Sequence, residues 1–503
     1  MGIVLKQTSA NIITISFALI IGGFNTLYFY PEFLKDEYYG LVVFLLATSN
    51  LLQPIMSLGA QHTIIKFYSS FKTKDLRDKF MSSIIFVPLI VIIPITFLVV
   101  QFHDSLGSFL SMQNPIIESY VWIIFLVAFA TSYFEVFYAW ARVRLKSIFG
   151  NVLKEIFPRV SVMCLLSLVA AQIITKTEFV WWLTGLYYLR LIIMIIYSLS
   201  LYTPKFSFVF PQNFKEIISY SVYILLAGSA ASLLIDIDKY MIPQKEAISQ
   251  TAYYAVAVFI ATVVEIPGRA MFQIVNPLVA KCLNENNITE LRKLYTESSV
   301  NLLIVAGLFF LLININIGPF YELMSNPSYG DALWVVLMIS LSKLILMSFG
   351  CGPAILATAK FYKITLPFSV LMAISVYLLN DFLIDIYSIN GAALSTLIVV
   401  GFFTVIKVFY INFKLKIMPY SIQSIKVLMI ILTVFLLFGD NDGDGRLFYS
   451  FFEGGYSNFS SLIKIIFNSV LVFVLYGFAI YIAKPSKAIN LFINNLIRGK
   501  FWD

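Results

Sequence analysis

The chain has 503 residues, of which 60% are hydrophobic and 12% are charged, and its mean hydropathy is +0.87. Soluble domains are about half apolar and about one quarter charged, so this composition excludes an ordinary soluble protein and predicts an integral membrane protein. We interpret the net charge of +8 as a topology signal and as attraction to the anionic headgroups of membrane lipids, not as nucleic-acid binding.

Apolar runs long enough to cross a bilayer recur along the whole chain. A helix needs about 20 such residues to cross a hydrocarbon core of roughly 30 Å, and helices are expected because backbone amides facing lipid must pair within their own segment. We therefore predict an all-α polytopic membrane protein with about fourteen transmembrane helices. In chain order they lie near residues 10–30, 40–60, 81–101, 117–138, 153–174, 178–200, 216–237, 250–272, 296–318, 331–353, 363–384, 388–411, 421–439 and 461–483.

The loops between these segments differ in charge. Cytoplasmic loops carry an excess of Lys and Arg, and one alternating set of loops, together with both ends of the chain, holds most of the 35 cations. We therefore predict a multi-pass protein of the cytoplasmic (inner) membrane with both termini in the cytoplasm, in agreement with an even number of helices. The other set of loops holds only Lys35, Lys176, Lys239, Lys245 and Arg446.

Residues that usually hold metals or cofactors form no cluster in the sequence. The three cysteines, Cys164, Cys282 and Cys351, have no paired spacing, and the two histidines are isolated in predicted loops. We expect no metal site, no cofactor and no catalytic residue.

One predicted outer loop, residues 440–451, has the sequence "DNDGDGRLFYSF". Its first acidic positions match a calcium-binding loop of the EF-hand type. Phe451, however, stands where such a loop requires a bidentate glutamate. We favour a solvated acidic turn and leave calcium binding as the alternative.

A short motif occurs twice. "YYGLVVF" at residues 38–44 returns as "YYAVAVF" at residues 253–259, which is 215 positions later. The same shift carries the third to sixth predicted helices onto the ninth to twelfth, although the first helix fits less well. We therefore predict two six-helix lobes, residues 1–215 and 216–415, followed by two extra helices and a cytoplasmic tail in residues 416–503. An even number of helices per copy makes the repeats parallel, with a central cavity and alternating access.

Three stretches of the chain resemble a known family. They are "YFYPEFLKDEYYGLVVFLLATSNLLQPIMSLGAQHTIIKFYS" (28–69), "LLIDIDKYMI" (233–242) and "FLIDIYSINGAALSTLI" (382–398). They are similar to the polysaccharide-transport branch of the multidrug/oligosaccharidyl-lipid/polysaccharide exporter superfamily. In the last stretch, which is the most specific, small residues allow close helix packing: Gly391, Ala392, Ala393 and Ser395.

This resemblance, which covers essentially the whole chain, implies a fold and a function. The fold would be MATE-like, with two lobes. The function would be that of a flippase, not an enzyme, which moves an undecaprenyl-diphosphate-linked oligosaccharide to the outer leaflet for O-antigen (lipopolysaccharide) or capsule biosynthesis. The partners implied are this lipid-linked oligosaccharide, membrane lipids and polysaccharide polymerase or export machinery.

Such a task requires cations within the membrane, because the diphosphate and sugars must cross hydrocarbon. An ionisable side chain inside a span is costly and usually faces a cavity. Arg190, in "LYYLRLIIM", and Lys343, in "MISLSKLILM", are the two cations deepest in the predicted spans. Both are candidate diphosphate ligands. The alternative is a structural pair with Glu135 or with carbonyl groups of another helix.

A second candidate lies in "VVEIPGRAMF". Glu265 and Arg269 are four residues apart with the acid first, the favourable order for a helical ion pair. Pro267 between them lacks a backbone donor and favours a kink. We interpret the pair as either a gate, with Arg269 as a further substrate contact, or a neutralised structural pair.

Asp236, Asp238 and Lys239 end the seventh predicted helix. Alternate positions cannot share one helix face, so the two aspartates are not expected to act as a simple dyad. Together with Lys239 they are candidates for shaping the outer mouth of the cavity, for gating or for ion coupling, and a solvated helix end is the alternative. If transport is ion-driven, the coupling acid is expected among Glu135, Glu265 and these two aspartates.

Two other functions remain open. A MATE-type drug or cation exporter has the same lobes but normally twelve helices, whereas segments thirteen and fourteen here suit the polysaccharide branch. A membrane glycosyltransferase or polysaccharide polymerase needs outer-loop carboxylates with room for sugar. The first outer loop offers Glu32, Asp36 and Glu37, but it is only about nine residues long.

Overall fold

The computed structural model describes residues 14–144, 146–205, 214–324, 326–438 and 459–497. Within these ranges the chain forms α-helices, short 3₁₀-helices and one π-helical stretch, and it forms no β-strand. The predicted all-α class is confirmed. The acidic loop 440–451, for which calcium binding was considered, lies outside the described residues.

The chain divides into two compact units, of which the first spans Met1–Ala255. It opens with α1 (14–24), which continues into a π-helix at Asn25–Leu34. The helices that follow are α2 (Lys35–Ser57), α3 (Ala60–Phe67), α4 (Lys74–Phe86), α5 (Leu89–Gln101), α6 (His103–Ser111), α7 (Val121–Val143), α8 (Ser147–Ala170), α9 (Lys176–Leu201) and α10 (Phe214–Lys245). Short 3₁₀-helices lie at Tyr68–Ser70 and Pro115–Tyr120.

The second unit spans Val256–Asp503, and the boundary falls within α11 (Ile248–Thr262). Its helices are α12 (Ile266–Asn284), α13 (Ile288–Tyr321), α14 (Leu333–Ser348), α15 (Gly352–Thr358), α16 (Thr365–Tyr387), α17 (Ile389–Leu415), α18 (Ile422–Phe438), α19 (Ser461–Ala483) and α20 (Lys487–Ile497). Its 3₁₀-helices lie at Val263–Glu265, Pro327–Ala332 and Tyr362–Ile364.

In the part of the chain that the structure describes, nine helical stretches are long and apolar enough to cross a membrane. They become ten if the bent α10, Phe214–Ala230 with Ser232–Lys245, is counted as one span. Two stretches, Thr14–Ser57 and Tyr362–Leu415, have 44 and 54 residues, and each covers two predicted segments.

Two predicted segments fall on helices outside that count. Helix α8 carries Lys154, Glu155 and Arg159, so every part of it that is long enough to cross a membrane contains three charged residues. Helix α18 has only 17 residues. The polytopic architecture is therefore confirmed, whereas the number fourteen stays a prediction. The lobe boundary predicted at residue 215 also stays a prediction.

Small polar residues hold the helices of the first unit close together. Ser49 of α2 donates to the carbonyl of Ile124 at 3.0 Å, and Ser132 of α7 donates to the carbonyl of Gln53 at 3.1 Å. Lipid tails supply no hydrophobic drive between helices, so such contacts and close backbone packing hold membrane helices together. Gly40 of α2 is an example, since a Cβ there would lie 2.0 Å from the carbonyl oxygen of Ile248.

Helix α13 is central to the second unit, where it packs against α14, α18 and α19. Asn314 of α13 donates to Ser340 Oγ at 2.9 Å, and the hydroxyl of Tyr476 donates to the carbonyl of Ile304 at 2.9 Å. The interior of this unit is thus fixed by directed polar contacts as well as by apolar packing.

Helices α16 and α17 form a tight hairpin. The turn residue Ser388 has a φ of 52°. A Cβ at Gly391 would lie 2.0 Å from the carbonyl oxygen of Leu383, so only glycine fits this turn. Farther along the hairpin, Ser395 donates to the carbonyl of Val376 at 3.3 Å. Two of the small residues noted in the sequence, Gly391 and Ser395, therefore lie at close contacts within this hairpin.

Candidate functional site

Arg190 lies in α9 and is buried, with 6% of its surface exposed. Its guanidinium carbon is 4.3 Å from the ring centre of Phe134 and 4.7 Å from that of Tyr187. Nη2 donates a long hydrogen bond of 3.5 Å to Thr131 Oγ1. Cation–π contacts compensate only part of the cost of burying a charge, so this arginine is held mainly by weak interactions.

Arg190 does not pair with Glu135. The carboxylate of Glu135 instead binds Nζ of Lys154 at 2.7 Å, across α7 and α8. Among the described residues no carboxylate forms an ion pair with Arg190, and its buried Nε–H has no acceptor. The structural pair considered from the sequence is therefore not formed, and the guanidinium keeps donors for another partner.

A narrow cleft between α8 and α9 borders Arg190. Phe157, Pro158, Ser161, Leu183 and Leu186 line it, together with Tyr187. The cleft has room for about one water molecule. A diphosphate does not fit there in this conformation, so access to the guanidinium from this side requires α8 and α9 to separate.

Lys343 has a different environment. Its Nζ lies 2.9 Å from Glu265 Oε2, and Arg269 Nη2 lies 3.2 Å from Oε1 of the same carboxylate. A 3₁₀ turn at Val263–Glu265 ends α11, and α12 begins at Ile266 with Pro267 in its first turn. The proline thus marks a break between helices, and the break directs Glu265 toward α14.

These three residues form a cluster with one net positive charge. Lys343 and Glu265 are each 24% exposed, whereas Arg269 is 51% exposed. The pair of Glu265 with Arg269 was predicted from their spacing, but the participation of Lys343 was not. Because one carboxylate serves two cations, part of the positive charge remains available to an anion.

Asp236 and Asp238 are both buried, at 7% and 5% exposure. Asp236 accepts from Lys239 at 2.8 Å and from Asn50 of α2 at 3.2 Å. Asp238 accepts a hydrogen bond from the hydroxyl of Tyr254. The two acids have separate partners, as their spacing predicted, and the alternative of a solvated helix end is wrong because α10 continues to Lys245.

One further cation lies inside a membrane-length helical stretch. Lys407 lies in α17, and its Nζ is 3.1 Å from Met372 Sδ of α16. Its position is inside the predicted segment 388–411. No group of His, Cys, Asp and Glu able to hold a metal occurs among the described residues.

These features define a class: an all-α, multi-pass membrane protein with charged residues placed inside membrane-length helices. Among the solved structures that share the fold are the following two. One is the lipid II flippase MurJ in an inward closed conformation, with 15% identity, 93% coverage of this chain, 98% of that chain and a TM-score of 0.67. The other is a MATE protein in complex with MaL6, with 14% identity, coverage of 81% and 96%, and a TM-score of 0.52.

The family can be named from the sequence. The pattern of the family described as "Polysaccharide biosynthesis protein" matches residues 4–275, more than half of the chain, and the chain belongs to this family. No curated protein matches it in sequence. The resemblance to the polysaccharide-transport branch of the exporter superfamily is thus confirmed. Which membrane holds the chain, and on which side the termini lie, stay predictions.

Proposed function

We propose that this protein is a flippase that translocates undecaprenyl-diphosphate-linked oligosaccharide repeat units for O-antigen or capsule biosynthesis. The fold shared with a lipid II flippase, in a member of the polysaccharide biosynthesis family, is the observation that carries this proposal. In such a cycle the lipid tail stays in the bilayer, while the diphosphate and the sugars cross the hydrocarbon region and need polar and cationic groups on their way.

Arg190 is the first diphosphate ligand that we propose. A guanidinium presents several donors in a planar fork that matches phosphate oxygens, and it stays charged when buried. Its lack of a carboxylate partner among the described residues supports this role, because a substrate anion would relieve the cost of an uncompensated charge.

The cluster of Lys343, Glu265 and Arg269 is the second anion contact that we propose. Arg269 is its more exposed cation and has donors beyond those that face Glu265. We therefore rank Arg269 above Lys343 as the group that meets the substrate. Lys343 would hold Glu265 in place and add positive charge.

Ion coupling, if the cycle uses it, is proposed to involve an acid of this protein. Asp236 and Asp238 are buried, and Glu135 and Glu265 pair with cations inside the two units. Protonation or cation binding at any of these acids would release its partner, whether Lys239, Tyr254, Lys154, Lys343 or Arg269. Such a release is the kind of local charge change that biases two conformations.

The setting that we propose is the cytoplasmic membrane, with both termini in the cytoplasm and polysaccharide polymerase or export machinery as partners. A MATE-type exporter is the second candidate, because a MATE protein shares the fold. A glycosyltransferase or polymerase has no such support from the fold. The family match favours the flippase over the exporter.

Reconstituted vesicles test the proposal. Purified full-length protein is placed in liposomes with a defined undecaprenyl-diphosphate-linked oligosaccharide, and outward movement of the sugar is followed with and without proton and sodium gradients. We expect flipping above that of protein-free vesicles. Export of a cationic dye without flipping would favour the MATE-type function, and flipping unchanged when both gradients are collapsed would exclude ion coupling.

A further inference from the structure

An open cavity lies where α19 ends and α20 begins. Its volume is about 350 Å³, and Lys484, Ser486, Lys487, Asn490 and Leu491 line it together with Tyr481. Ligand sites in proteins have volumes of about 300–1,000 Å³. None of these residues belongs to the cation sites described above, so the cavity is a separate feature of the second unit.

The cavity has a cationic rim. Lys484 and Lys487 are both exposed, and Lys487 begins α20. The backbone N–H groups in the first turn of a helix have no intrahelical acceptors, and Ser486 caps only that of Ile489, at 3.3 Å. Two ammonium groups and a helix N-terminus together favour an anion.

Asn490 adds a second and independent requirement. It is 9% exposed, and its Nδ2 donates to the carbonyl of Tyr481 at 3.1 Å. That bond fixes the amide orientation, because a carbonyl accepts only from the NH₂ group. Asn490 Oδ1 is buried and has no hydrogen-bond donor within the described part of the chain. The cavity therefore favours a ligand that carries a hydrogen-bond donor as well as a negative charge.

The position of the cavity indicates the source of such a ligand. Helix α19 is a membrane-length stretch that ends at Ala483, so the next residues lie at the membrane surface. Ile482 and Leu491, on either side of the lysines, are each 62% exposed. Exposed apolar residues beside cations at the end of a span fit acyl chains and headgroups, respectively.

We propose that Lys484, Lys487 and Asn490 bind the headgroup of an anionic glycerophospholipid that carries a free hydroxyl, as phosphatidylglycerol does. The lysines and the first turn of α20 bind the phosphodiester. A glycerol hydroxyl donates to Asn490 Oδ1, and the acyl chains lie along Ile482 and Leu491. The bound lipid ties α20 to the membrane surface and to the end of α19.

Lipid binding by the purified full-length protein in detergent tests this site. Native mass spectrometry gives dissociation constants for dihexanoyl phosphatidylglycerol and for dihexanoyl phosphatidylmethanol, an equally anionic lipid without the hydroxyl. We expect phosphatidylglycerol to bind about five- to tenfold more tightly, as expected for a hydrogen bond to a buried acceptor. Equal affinities would contradict the role of Asn490.

The lysines are tested by the double variant Lys484→Ala and Lys487→Ala. Each lysine near an anionic surface contributes about 1 kcal/mol, so we expect the dissociation constant for phosphatidylglycerol to rise about 30-fold, or about 2 kcal/mol. The matched control is Lys360→Ala with Lys363→Ala, two exposed lysines of the same unit, for which we expect less than a threefold change. An equal loss of affinity for phosphatidylglycerol in both double variants would show that the lipid responds to general surface charge and not to a specific site.

Glycerol 3-phosphate distinguishes a lipid from a soluble ester. It has the phosphate and the hydroxyls but no acyl chains, so we expect it to bind at least tenfold more weakly than dihexanoyl phosphatidylglycerol. Binding of equal strength would overturn the assignment to a lipid. None of these measurements involves translocation, so their outcome does not depend on the proposed flippase activity.

Discussion

At the scale of single residues, Arg190 and the cluster of Lys343, Glu265 and Arg269 hold positive charge within membrane-length helices in different ways. Arg190 is buried against aromatic rings, whereas Lys343 and Arg269 share one carboxylate. The first arrangement leaves a cation that forms no direct ion pair with an acid of the described chain. The second arrangement leaves a cluster of three charged residues, and neutralising any one of them changes its net charge.

Substitution of Arg190 tests the first arrangement. A charge-assisted contact contributes roughly 1.5–3 kcal/mol, so Arg190→Ala should lower substrate affinity about ten- to hundredfold. Arg190→Lys should recover part of this loss, because the charge is kept while the fork is lost. The measurement is binding and flipping of the lipid-linked oligosaccharide per unit of folded protein, with Lys293→Ala, at a lysine whose side chain is 72% exposed, as control. Normal specific activity of Arg190→Ala would remove this residue from the site.

The variant Glu265→Gln separates substrate binding from a structural role in the second arrangement. Removing the shared carboxylate raises the net charge of the cluster from one to two. If the cluster binds the diphosphate, affinity should rise several-fold while flipping slows, because release becomes harder. A purely structural carboxylate predicts the opposite sign: weaker binding and less folded protein in the membrane. Equilibrium binding and folded yield, measured together, decide between these two outcomes.

Sequence reasoning reached the pair of Glu265 and Arg269 because helical spacing alone brings residues four apart together. It did not reach the contact between Lys343 and Glu265, which depends on how α14 packs against the 3₁₀ turn before α12. For the same reason, Glu135 was considered as a partner of Arg190. In the structure, α7 packs against α8, and Glu135 forms its ion pair with Lys154. Depth in the membrane is readable from sequence, but the identity of a tertiary partner is not.

At the scale of helices, hydropathy located the elements well and their ends less well. Helix α10 was predicted to end near residue 237 because acids and a lysine follow, but it continues to Lys245. The charges are tolerated because Asp236 pairs with Lys239, and Tyr254 donates to Asp238. Internal pairing of this kind cannot be distinguished from a solvated end by composition.

Close packing of α2 is tested by Gly40→Ala. The added Cβ would lie 2.0 Å from the backbone oxygen of Ile248, so one helix has to move, at a cost of about 1–3 kcal/mol. We expect a lower unfolding temperature and a smaller folded yield in detergent. Gly185→Ala in α9 is the matched control, because a Cβ there meets nothing within 4 Å. Equal stability of the two variants would show that α2 does not pack tightly against Ile248.

At the scale of the whole molecule, the loop charges predict which side of the membrane each connection occupies. Lys146, an exposed residue between α7 and α8, belongs to the cation-rich loops and should face the cytoplasm. Lys146→Cys should react with a membrane-impermeant thiol reagent only after cells are opened, whereas a cysteine introduced in the 101–116 loop should react in intact cells. The labelling is done in a background without Cys164, Cys282 and Cys351. Labelling of residue 146 from outside would reverse the orientation and the direction of transport that we propose.

The closed hairpin of α16 and α17 has a mechanical consequence for any cycle of this protein. With its turn fitted to glycine at residue 391 and its two arms joined farther along by Ser395, the pair has no joint at which to bend open. The two helices would move together as one rigid body. Conformational changes within the second unit would therefore have to occur at other places. We expect the 3₁₀ turn before α12, where Pro267 lies in the first turn of the next helix, to act as such a hinge, and Glu265 would move with it.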